Sequence, residues 1–302
     1  MWIIGSVISA LLLGGYDVTK KAAARGNAVP VVLLISVSVG GLIWLPLIAW
    51  SLIAPESLPW DLLRVRRLSW TLHGLIFAKS ALVGASWTFA LFALKHLPLS
   101  IAAPIRSTSP LWTILIATVF LSERPTATQW LGIVIVLTAF WLFSVVGSRE
   151  GVRFTRDPWV LCMIAATLLG AISSIYDKLL LQSWQIHSGT LQAWFTIYLI
   201  PVMVPLAARW RWRERTMNPF HFRWSILMIS PLLLAADLFY FEAVADPEAK
   251  ISVISTIRRC SVVIGFLVGI RLLGEKNFRP KAICVGMILG GVTLLLLGST
   301  KS

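Results

Sequence analysis

Long apolar runs separated by short polar stretches fill this chain from end to end. Each run holds about the 20 residues that an α-helix needs to cross roughly 30 Å of hydrocarbon. No charged side chain occurs within residues 26–55, 126–147 or 283–299. The pattern predicts ten transmembrane helices, at residues 2–23, 28–52, 70–94, 99–121, 126–147, 158–181, 187–208, 224–245, 248–272 and 279–298.

The composition is that of a membrane protein. Apolar residues make up 57% of the 302 residues and charged residues only 13%, which is more apolar surface than one soluble core can hide. The positive charges near the first run follow it, which is the reverse of a cleavable signal peptide. We therefore expect an all-α membrane protein that keeps its first helix.

The net charge of +14 does not indicate a nucleic-acid partner. Most Lys and Arg residues lie in short loops between the apolar runs, as expected for residues that set membrane topology. The three cysteines fall within apolar runs and the four histidines are scattered, so no spacing suggests a metal site or a disulfide. We expect no metal, no cofactor and no nucleic acid.

The two halves of the chain repeat one another. Residues 98–125 align without gaps with residues 250–277, and seven positions are identical. The matches include Arg106 with Arg258, and a glutamate near the end of each stretch. Leucine matches between membrane helices are common by chance, but an arginine at membrane depth and a helix-ending glutamate at one fixed separation are not. The pattern indicates an internal duplication.

Each half of the chain contains five predicted helices. Because five is an odd number, the second copy is expected to enter the membrane with the opposite orientation to the first. Inverted repeats that enclose a site near the membrane midplane are typical of secondary transporters. We therefore predict two inverted five-helix repeats, at residues 1–148 and 149–302.

Two copies of one motif carry a resemblance to a known family. The stretches FLSERPTATQWLGIVIVLTAFWL (120–142) and LLGEKNFRPKAICVGMILGGVTLLLLG (272–298) each contain a helix end with Glu, a short basic turn and a glycine-bearing helix. Over nearly its whole length the chain resembles the EamA-type branch of the drug/metabolite transporter superfamily. The resemblance implies a multi-pass permease of the bacterial inner membrane, monomeric or homodimeric, in two EamA-like repeats. Related members move amino acids, nucleotide sugars, organophosphates or cationic compounds, so it leaves the substrate open.

The loop charges and the family resemblance imply opposite orientations. More than twice as many Lys and Arg residues lie on the side of the loop between the first two helices as on the side of the two termini. By the positive-inside rule, this excess places both termini outside the cytoplasm. Members of the superfamily usually resemble proteins with cytoplasmic termini.

Four basic residues fall at membrane depth, namely Lys79, Arg106, Arg258 and Arg259. An ionisable side chain at that depth costs at least about 2.5–3.5 kcal/mol on insertion scales, so each needs a partner or a water-filled cavity. The acidic residues that can serve as partners are Asp17, Asp177, Asp237 and Glu242.

Depth along the helices predicts two gate pairs. At 1.5 Å per residue, Asp17 and Arg106 lie at similar depth toward one membrane face. Asp177 and Arg258 lie at matching depth toward the other face. We predict that these are symmetry-related ion pairs at the two mouths of a central cavity. Asp237 is an alternative partner for Arg258.

A tyrosine precedes each predicted gate aspartate. Tyr16 and Tyr176 each offer an apolar ring and a hydroxyl that can bond a gate residue or a substrate. A structural explanation fits the same residues, because Asp17 and Lys21 are four apart and can form a helix-end pair. Tyrosine near a helix end is also common as an interface anchor.

Lys79 lies near the midplane of the third predicted helix. The matching position in the second half is Pro231, so any role of this lysine is not shared by symmetry. It can carry a proton, receive an anionic group, or be buried against Asp237 for structural reasons. Trp87 and Tyr240 fall in stretches that align between the halves, where aromatic side chains either pack between helices or contact substrate.

Glycines four residues apart predict close helix packing. Gly286 and Gly290 form a small-xxx-small pattern in the last predicted helix, and Gly265 and Gly269 form another in the ninth. We expect neighbouring helices to approach at these positions.

The excess of membrane-embedded Arg and Lys indicates a substrate with a carboxylate or phosphate group. We expect a secondary active exporter or exchanger of amino acids, organic acids or other anionic or zwitterionic metabolites, working by alternating access. Organophosphate exchangers of the superfamily look similar in carrying adjacent basic residues on the ninth helix, where Arg258 and Arg259 stand here. The predicted substrate-binding residues are Arg106, Arg258, Arg259, Lys79, Asp237, Trp87 and Tyr240.

Two alternatives remain open at the sequence level. The acidic residues at membrane depth are compatible with an exporter of cationic drugs or quaternary amines. A flippase for a lipid intermediate fits the same fold. An enzyme is not indicated, because no nucleophile and base or metal cluster occurs at a usable spacing.

Overall fold

Ten α-helices form the regular structure of the residues that this computed structural model describes, which are 2–24, 26–96, 105–106, 108–147, 158–261 and 278–299. No strand occurs among these residues. The helices are α1 (Trp2–Ala24), α2 (Val29–Ile53), α3 (Trp70–His96), α4 (Ser109–Phe120), α5 (Ala127–Gly147), α6 (Pro158–Lys178), α7 (Ser188–Arg213), α8 (Trp224–Ala245), α9 (Ile251–Arg259) and α10 (Phe278–Ser299). A π-helical turn, Leu179–Ser183, extends α6, and two 3-10 turns, Pro55–Ser57 and Asp61–Leu63, lie between α2 and α3.

The apolar runs predicted these helices closely. Helix α8 has the predicted bounds, and most other boundaries differ by one to three residues. Helix α7 continues to Arg213 because an arginine-rich helix end can leave the hydrocarbon and remain helical among head groups. The predicted helices 99–121 and 248–272 are described only in part, as α4 and α9, and their other residues lie outside the described ranges.

Six of the described helices are long and apolar enough to cross a membrane, namely α1, α2, α3, α6 with its π turn, α7 and α8. Shorter apolar helical stretches lie at residues 109–120, 127–139 and 283–295. Large apolar side chains cover the outer surface, among them Ile4 and Leu42, which are both 66% exposed. Exposing such a surface is unfavourable in water and favourable in lipid. The chain is therefore an integral multi-pass membrane protein.

The first compact unit of the structure joins residues 1–84 with residues 176–247. It contains α1, α2, the first part of α3, α7 and α8. The Ser9 hydroxyl of α1 and the Gln192 amide of α7 donate to backbone carbonyls of α8 at 2.7 and 2.6 Å. Polar side chains within membrane helices thus find partners across helix contacts, as the low-dielectric surroundings require.

The second compact unit joins residues 85–175 with residues 248–302. In it, the carboxylate of Glu123, which follows α4, caps the N-terminus of α9. It accepts hydrogen bonds from the Ile251 amide at 2.9 Å and from the Ser252 hydroxyl at 2.7 Å. The first amides of a helix lack partners within it, and the helix dipole favours a negative charge there. The helix-ending glutamate of the first repeat therefore also anchors α9.

Helices α5 and α10 approach most closely at two glycines. A Cβ atom at Gly132 would lie 2.7 Å from the Gly291 carbonyl oxygen, and one at Gly291 would lie 2.9 Å from the Gly132 carbonyl oxygen. The prediction that Gly286 and Gly290 mediate close packing is wrong. Both are exposed, and a Cβ atom at either would meet nothing within 4 Å. The other predicted glycine pair lies outside the described residues.

Each compact unit contains helices from both sequence repeats. Helices α1 and α2 of the first repeat share a unit with α7 and α8 of the second, whereas α4 and α5 share a unit with α9 and α10. The repeat boundary at 148 and 149 and the inverted relation of the repeats stay predictions. The compact units describe how the folded chain is divided, and the predicted repeats describe a pattern in its sequence.

Candidate functional site

Lys79 is buried within a membrane-spanning helix. It lies on α3 between Ile76 and Val83, which are 0% and 8% exposed. Because residues three and four apart share a helix face, the lysine points inward with them and is 2% exposed. An ammonium group at this depth requires a partner, since its desolvation alone costs several kcal/mol.

The carboxylate of Asp177, at the C-terminal end of α6, is the partner of Lys79. Lys79 Nζ lies 2.5 Å from Asp177 Oδ1, and the two side chains are 2% and 5% exposed. The Tyr240 hydroxyl of α8 donates to Asp177 Oδ2 at 3.0 Å. One carboxylate therefore joins α3, α6 and α8, with an ion pair at one oxygen and a hydrogen bond at the other.

Aromatic rings surround the ammonium group. Lys79 Nζ lies 4.2 Å from the centre of the Phe195 ring of α7 and 5.4 Å from that of the Phe241 ring of α8. The faces of the rings attract the cation, and this attraction is stronger where water is excluded. We call Lys79, Asp177, Phe195, Tyr240 and Phe241 the lysine cluster. It contains a cation, an anion, a hydroxyl and an apolar wall within the first unit.

Neutral hydrogen bonds fix the backbone around the lysine cluster. The Ser80 hydroxyl lies 3.0 Å from the Ile76 carbonyl oxygen and 3.2 Å from that of Phe195. The Tyr176 hydroxyl donates to a carbonyl of α3 at 3.2 Å. The Gln182 amide of the π turn donates to two carbonyls at the end of α8, at 2.8 and 2.6 Å. These hydrogen bonds join α3 to α6 and α7, and the π turn after α6 to α8, without using charged groups.

The lysine cluster brings together three residues predicted from separate parts of the sequence, namely Lys79, Asp177 and Tyr240. It also corrects a predicted pairing. Asp177 was expected to pair with Arg258, and its partner in the structure is Lys79. Depth alone does not identify a partner, because several side chains share one level. Lys79 and Asp177 lie in the same compact unit, whereas Arg258 belongs to the other.

The first predicted gate contains one buried and two exposed residues. Tyr16 is 6% exposed and packs with Ala23, Val32 and other apolar residues, so its ring is a core element. Asp17 and Arg106 are both exposed, which does not support a desolvated ion pair. They belong to different compact units, so their pairing stays a prediction.

Arg258 and Arg259 are half-buried at the end of α9. The α9 helix has nine residues, which places this end about 12 Å along the helix from the loop before it. Arg259 Nη2 donates to the Ser109 hydroxyl of α4 at 2.9 Å. This hydrogen bond to Ser109 orients the guanidinium of Arg259.

Two other predicted substrate residues are half-buried. Asp237 lies on α8, one helical turn before Tyr240, and its negative charge repels that of Asp177. Trp87 lies on the part of α3 that belongs to the second unit. Their roles in substrate binding stay predictions.

The contribution of α7 to the lysine cluster was not predicted from the sequence. Phe195 forms part of the wall of the lysine cluster, and Gln192 and Thr196 are buried polar residues on the same helix. The sequence does contain a signal for this face of α7. Gln192 and Thr196 are four residues apart, and polar residues at that spacing in an apolar run mark a helix face that contacts protein. No contact could be assigned without knowing which helix lies opposite.

The described residues contain no group of three His, Cys, Asp or Glu side chains that could hold a metal ion. The described helices are those of a multi-pass membrane protein, and the buried Lys79–Asp177 ion pair lies among them. Residues 1–145 match the EamA-like transporter family. This match covers 145 of the 302 residues and agrees with the resemblance to the drug/metabolite transporter superfamily that the motifs predicted. Members of the family are transporters.

A solved structure supports the fold over almost the entire chain. A protein described only as "Crystal structure of protein" aligns with 99% of this chain and 98% of its own, with a TM-score of 0.73 and 16% sequence identity. At that identity the likeness concerns the fold alone.

Proposed function

We propose that the protein is a secondary active transporter that exports or exchanges a small anionic or zwitterionic metabolite, such as an amino acid or organic acid. Transport proceeds by alternating access between the two predicted inverted repeats. The match of residues 1–145 to the EamA-like transporter family supports transport, and the basic residues at membrane depth support the substrate class. We further propose a location in a bacterial inner membrane, as a monomer or homodimer, with both termini outside the cytoplasm.

The observation that carries the substrate class is the arginine pair at the end of α9. Arg258 and Arg259 are half-buried at membrane depth, and Arg259 is oriented by the neutral hydroxyl of Ser109. A guanidinium presents several donors in a fixed plane that matches a carboxylate or phosphate. A carboxylate or phosphate on the substrate fits these donors, which supports an anionic or zwitterionic substrate.

The lysine cluster supports a way to couple transport to protons. Asp177 and the substrate carboxylate are chemically similar, so each can pair with Lys79. When the substrate anion pairs with Lys79, Asp177 takes up a proton and remains bonded to Tyr240 as a neutral acid. When the substrate leaves, Asp177 releases the proton and pairs with Lys79 again. Burial of the cluster favours this exchange, because two anions cannot share one ammonium group at low cost.

A cationic substrate is the second candidate. Asp177 already balances Lys79, so the lysine adds no net charge to the first unit. Asp237 lies on α8, one turn before Tyr240, and its carboxylate can attract a cationic drug or quaternary amine. A flippase for a lipid intermediate is a further alternative, because it requires the same fold with a lateral opening.

The test compares small molecules in the medium of deletion and overexpressing cells. The matched variants are Arg258→Gln with Arg259→Gln, Asp237→Asn, and a control that removes two exposed arginines, Arg211→Gln with Arg213→Gln. We expect an anionic or zwitterionic metabolite to accumulate in the medium with wild type and control, and not with the arginine double variant at equal protein level. Export of a cation that requires Asp237 would instead establish the second candidate. Loss of a lipid-linked intermediate in the deletion strain would establish the flippase.

A further inference from the structure

Two adjoining hollows lie at the loop between α2 and α3 in the first unit. Their volumes are about 200 and about 310 Å³, and both are lined by Leu52, Val65, Arg66 and Arg67. We call them together the arginine hollow. Helix α2 ends at Ile53 and α3 begins at Trp70, and both helices are long enough to span a membrane. The loop between them therefore lies at the membrane surface.

The arginine hollow has a net positive charge. Asp61 lies 3.5 Å from Arg64 and 3.6 Å from Arg66, so one carboxylate is shared by two guanidinium groups. His187 Nε2 also lies 3.1 Å from Asp61 Oδ2. Arg67 is exposed, and the structure shows no ion pair between it and a described acidic residue. Its charge is available to a ligand anion.

The smaller hollow is lined largely by apolar and aromatic side chains. Ile48 and Leu52 of α2 and Leu68 line it together with the aromatic side chains of His73 and Trp194. A ligand that fills it can place an anionic group against the arginines and an alkyl chain along the aliphatic residues. A free phosphate ion gains nothing from the apolar wall, whereas the acyl chain of a phospholipid can pack against it.

The backbone of the hollow is held in place before any ligand binds. The Arg66 amide donates to the Thr190 hydroxyl of α7 at 2.9 Å, and the Val65 amide donates to the Ser51 hydroxyl of α2 at 3.0 Å. Arg64 Nη2 donates to the Pro55 carbonyl at 2.8 Å. A site that is ordered in advance loses less entropy on binding.

Exposed aromatic and aliphatic residues surround the loop. Trp60, Trp70 and Ile53 are 68%, 89% and 83% exposed. Tryptophan is enriched where a membrane protein meets the head groups, because its ring is apolar and its N–H is polar. These side chains place the arginine hollow at the depth of lipid phosphates.

We propose that the arginine hollow binds one anionic phospholipid. Arg67 and Arg66 contact the phosphate of the head group, and an acyl chain lies along Ile48 and Leu52. A Lys or Arg near an anionic membrane surface contributes about 1 kcal/mol of attraction, or about fivefold in affinity, and we expect the same of each arginine here. This inference does not depend on the transported substrate.

Native mass spectrometry of purified protein with dioleoyl phosphatidylglycerol or dioleoyl phosphatidylcholine tests the proposal. The variants are Arg67→Gln, Arg66→Gln with Arg67→Gln, and the control Arg211→Gln with Arg213→Gln. Arg67→Gln leaves both ion pairs of Asp61 in place, so it tests binding without disturbing the loop. Its melting temperature in phosphatidylcholine should equal that of wild type.

We expect wild type to retain phosphatidylglycerol in preference to phosphatidylcholine. Affinity should fall about fivefold in Arg67→Gln and about thirtyfold in the double variant, with less than a twofold change in the control. Inorganic phosphate should displace no more lipid than chloride at equal ionic strength. Equal retention of the two lipids, equal losses in variant and control, or specific displacement by phosphate would each overturn the proposal.

Discussion

Replacement of Lys79 and Asp177, separately and together, tests the central contact of the structure. Lys79→Met leaves a carboxylate that is 5% exposed with the Tyr240 hydroxyl but without its ion-pair partner. Removing one member of a buried pair costs about 3–5 kcal/mol in free energy of unfolding. Asp177→Leu should cost about 2 kcal/mol less, because the Phe195 and Phe241 rings still attract the ammonium group.

The double variant gives the decisive value. With Lys79→Met and Asp177→Leu combined, no charge remains at either position, and two apolar side chains of similar size fill the space. We expect its free energy of unfolding to lie within about 1 kcal/mol of wild type, since buried pairs often exchange for apolar residues without loss. The two single effects would sum to about 4–8 kcal/mol, so a double variant near wild type corresponds to an interaction energy of about 4–8 kcal/mol in magnitude.

The measurement is unfolding of purified protein by sodium dodecyl sulfate, followed by circular dichroism. Lys178→Met is the matched control, because Lys178 neighbours Asp177 in sequence and is half-buried. It should change stability by less than about 1 kcal/mol. Additive effects of the two single substitutions would refute the ion pair. If the double variant is stable but does not export substrate, the pair also serves transport.

Other contacts give smaller, separate predictions. Tyr240→Phe removes the hydrogen bond to Asp177 and should cost about 1–3 kcal/mol in thermal or detergent unfolding, with no loss of ring packing. Glu123→Ala should destabilise by about 2–3 kcal/mol, and Glu123→Gln by less, because the amide keeps one acceptor oxygen for the N-terminus of α9. Gly132→Ala should lower the melting temperature, whereas the control Gly286→Ala should not, because only the first adds a Cβ against backbone. Equal effects of the two glycine substitutions would contradict the described crossing of α5 and α10.

The apolar runs were sufficient to predict the helices. A bilayer leaves backbone groups no solvent partner, so a run of the right length must be helical whatever lies beside it. This is why the bounds of α8 follow from residues 224–245 alone. The helix bounds differ from the predicted ones where the chain leaves the hydrocarbon, as at the arginine-rich end of α7.

The site could be predicted as residues but not as contacts. The cost of an ionisable group in lipid marks Lys79 and Asp177 from the sequence, since each requires a partner. Depth in the membrane was compatible with Arg258 as the partner of Asp177. Depth fixes only one of the three coordinates of a residue, so it cannot identify a contact. The glycine prediction failed for a related reason, since a small residue shows that an approach is possible and not which neighbour makes it.

The sequence by itself determined the helical membrane class, the positions of the helices, the family resemblance and the residues that carry buried charge. These follow from the bilayer, which imposes length, apolarity and a charge penalty on each segment independently. The tertiary structure decided that Lys79 pairs with Asp177, that Phe195 and Phe241 enclose the ammonium group, and that Glu123 caps α9. Each of these contacts joins residues more than 40 positions apart in the chain, and which helices become neighbours is set by packing between segments.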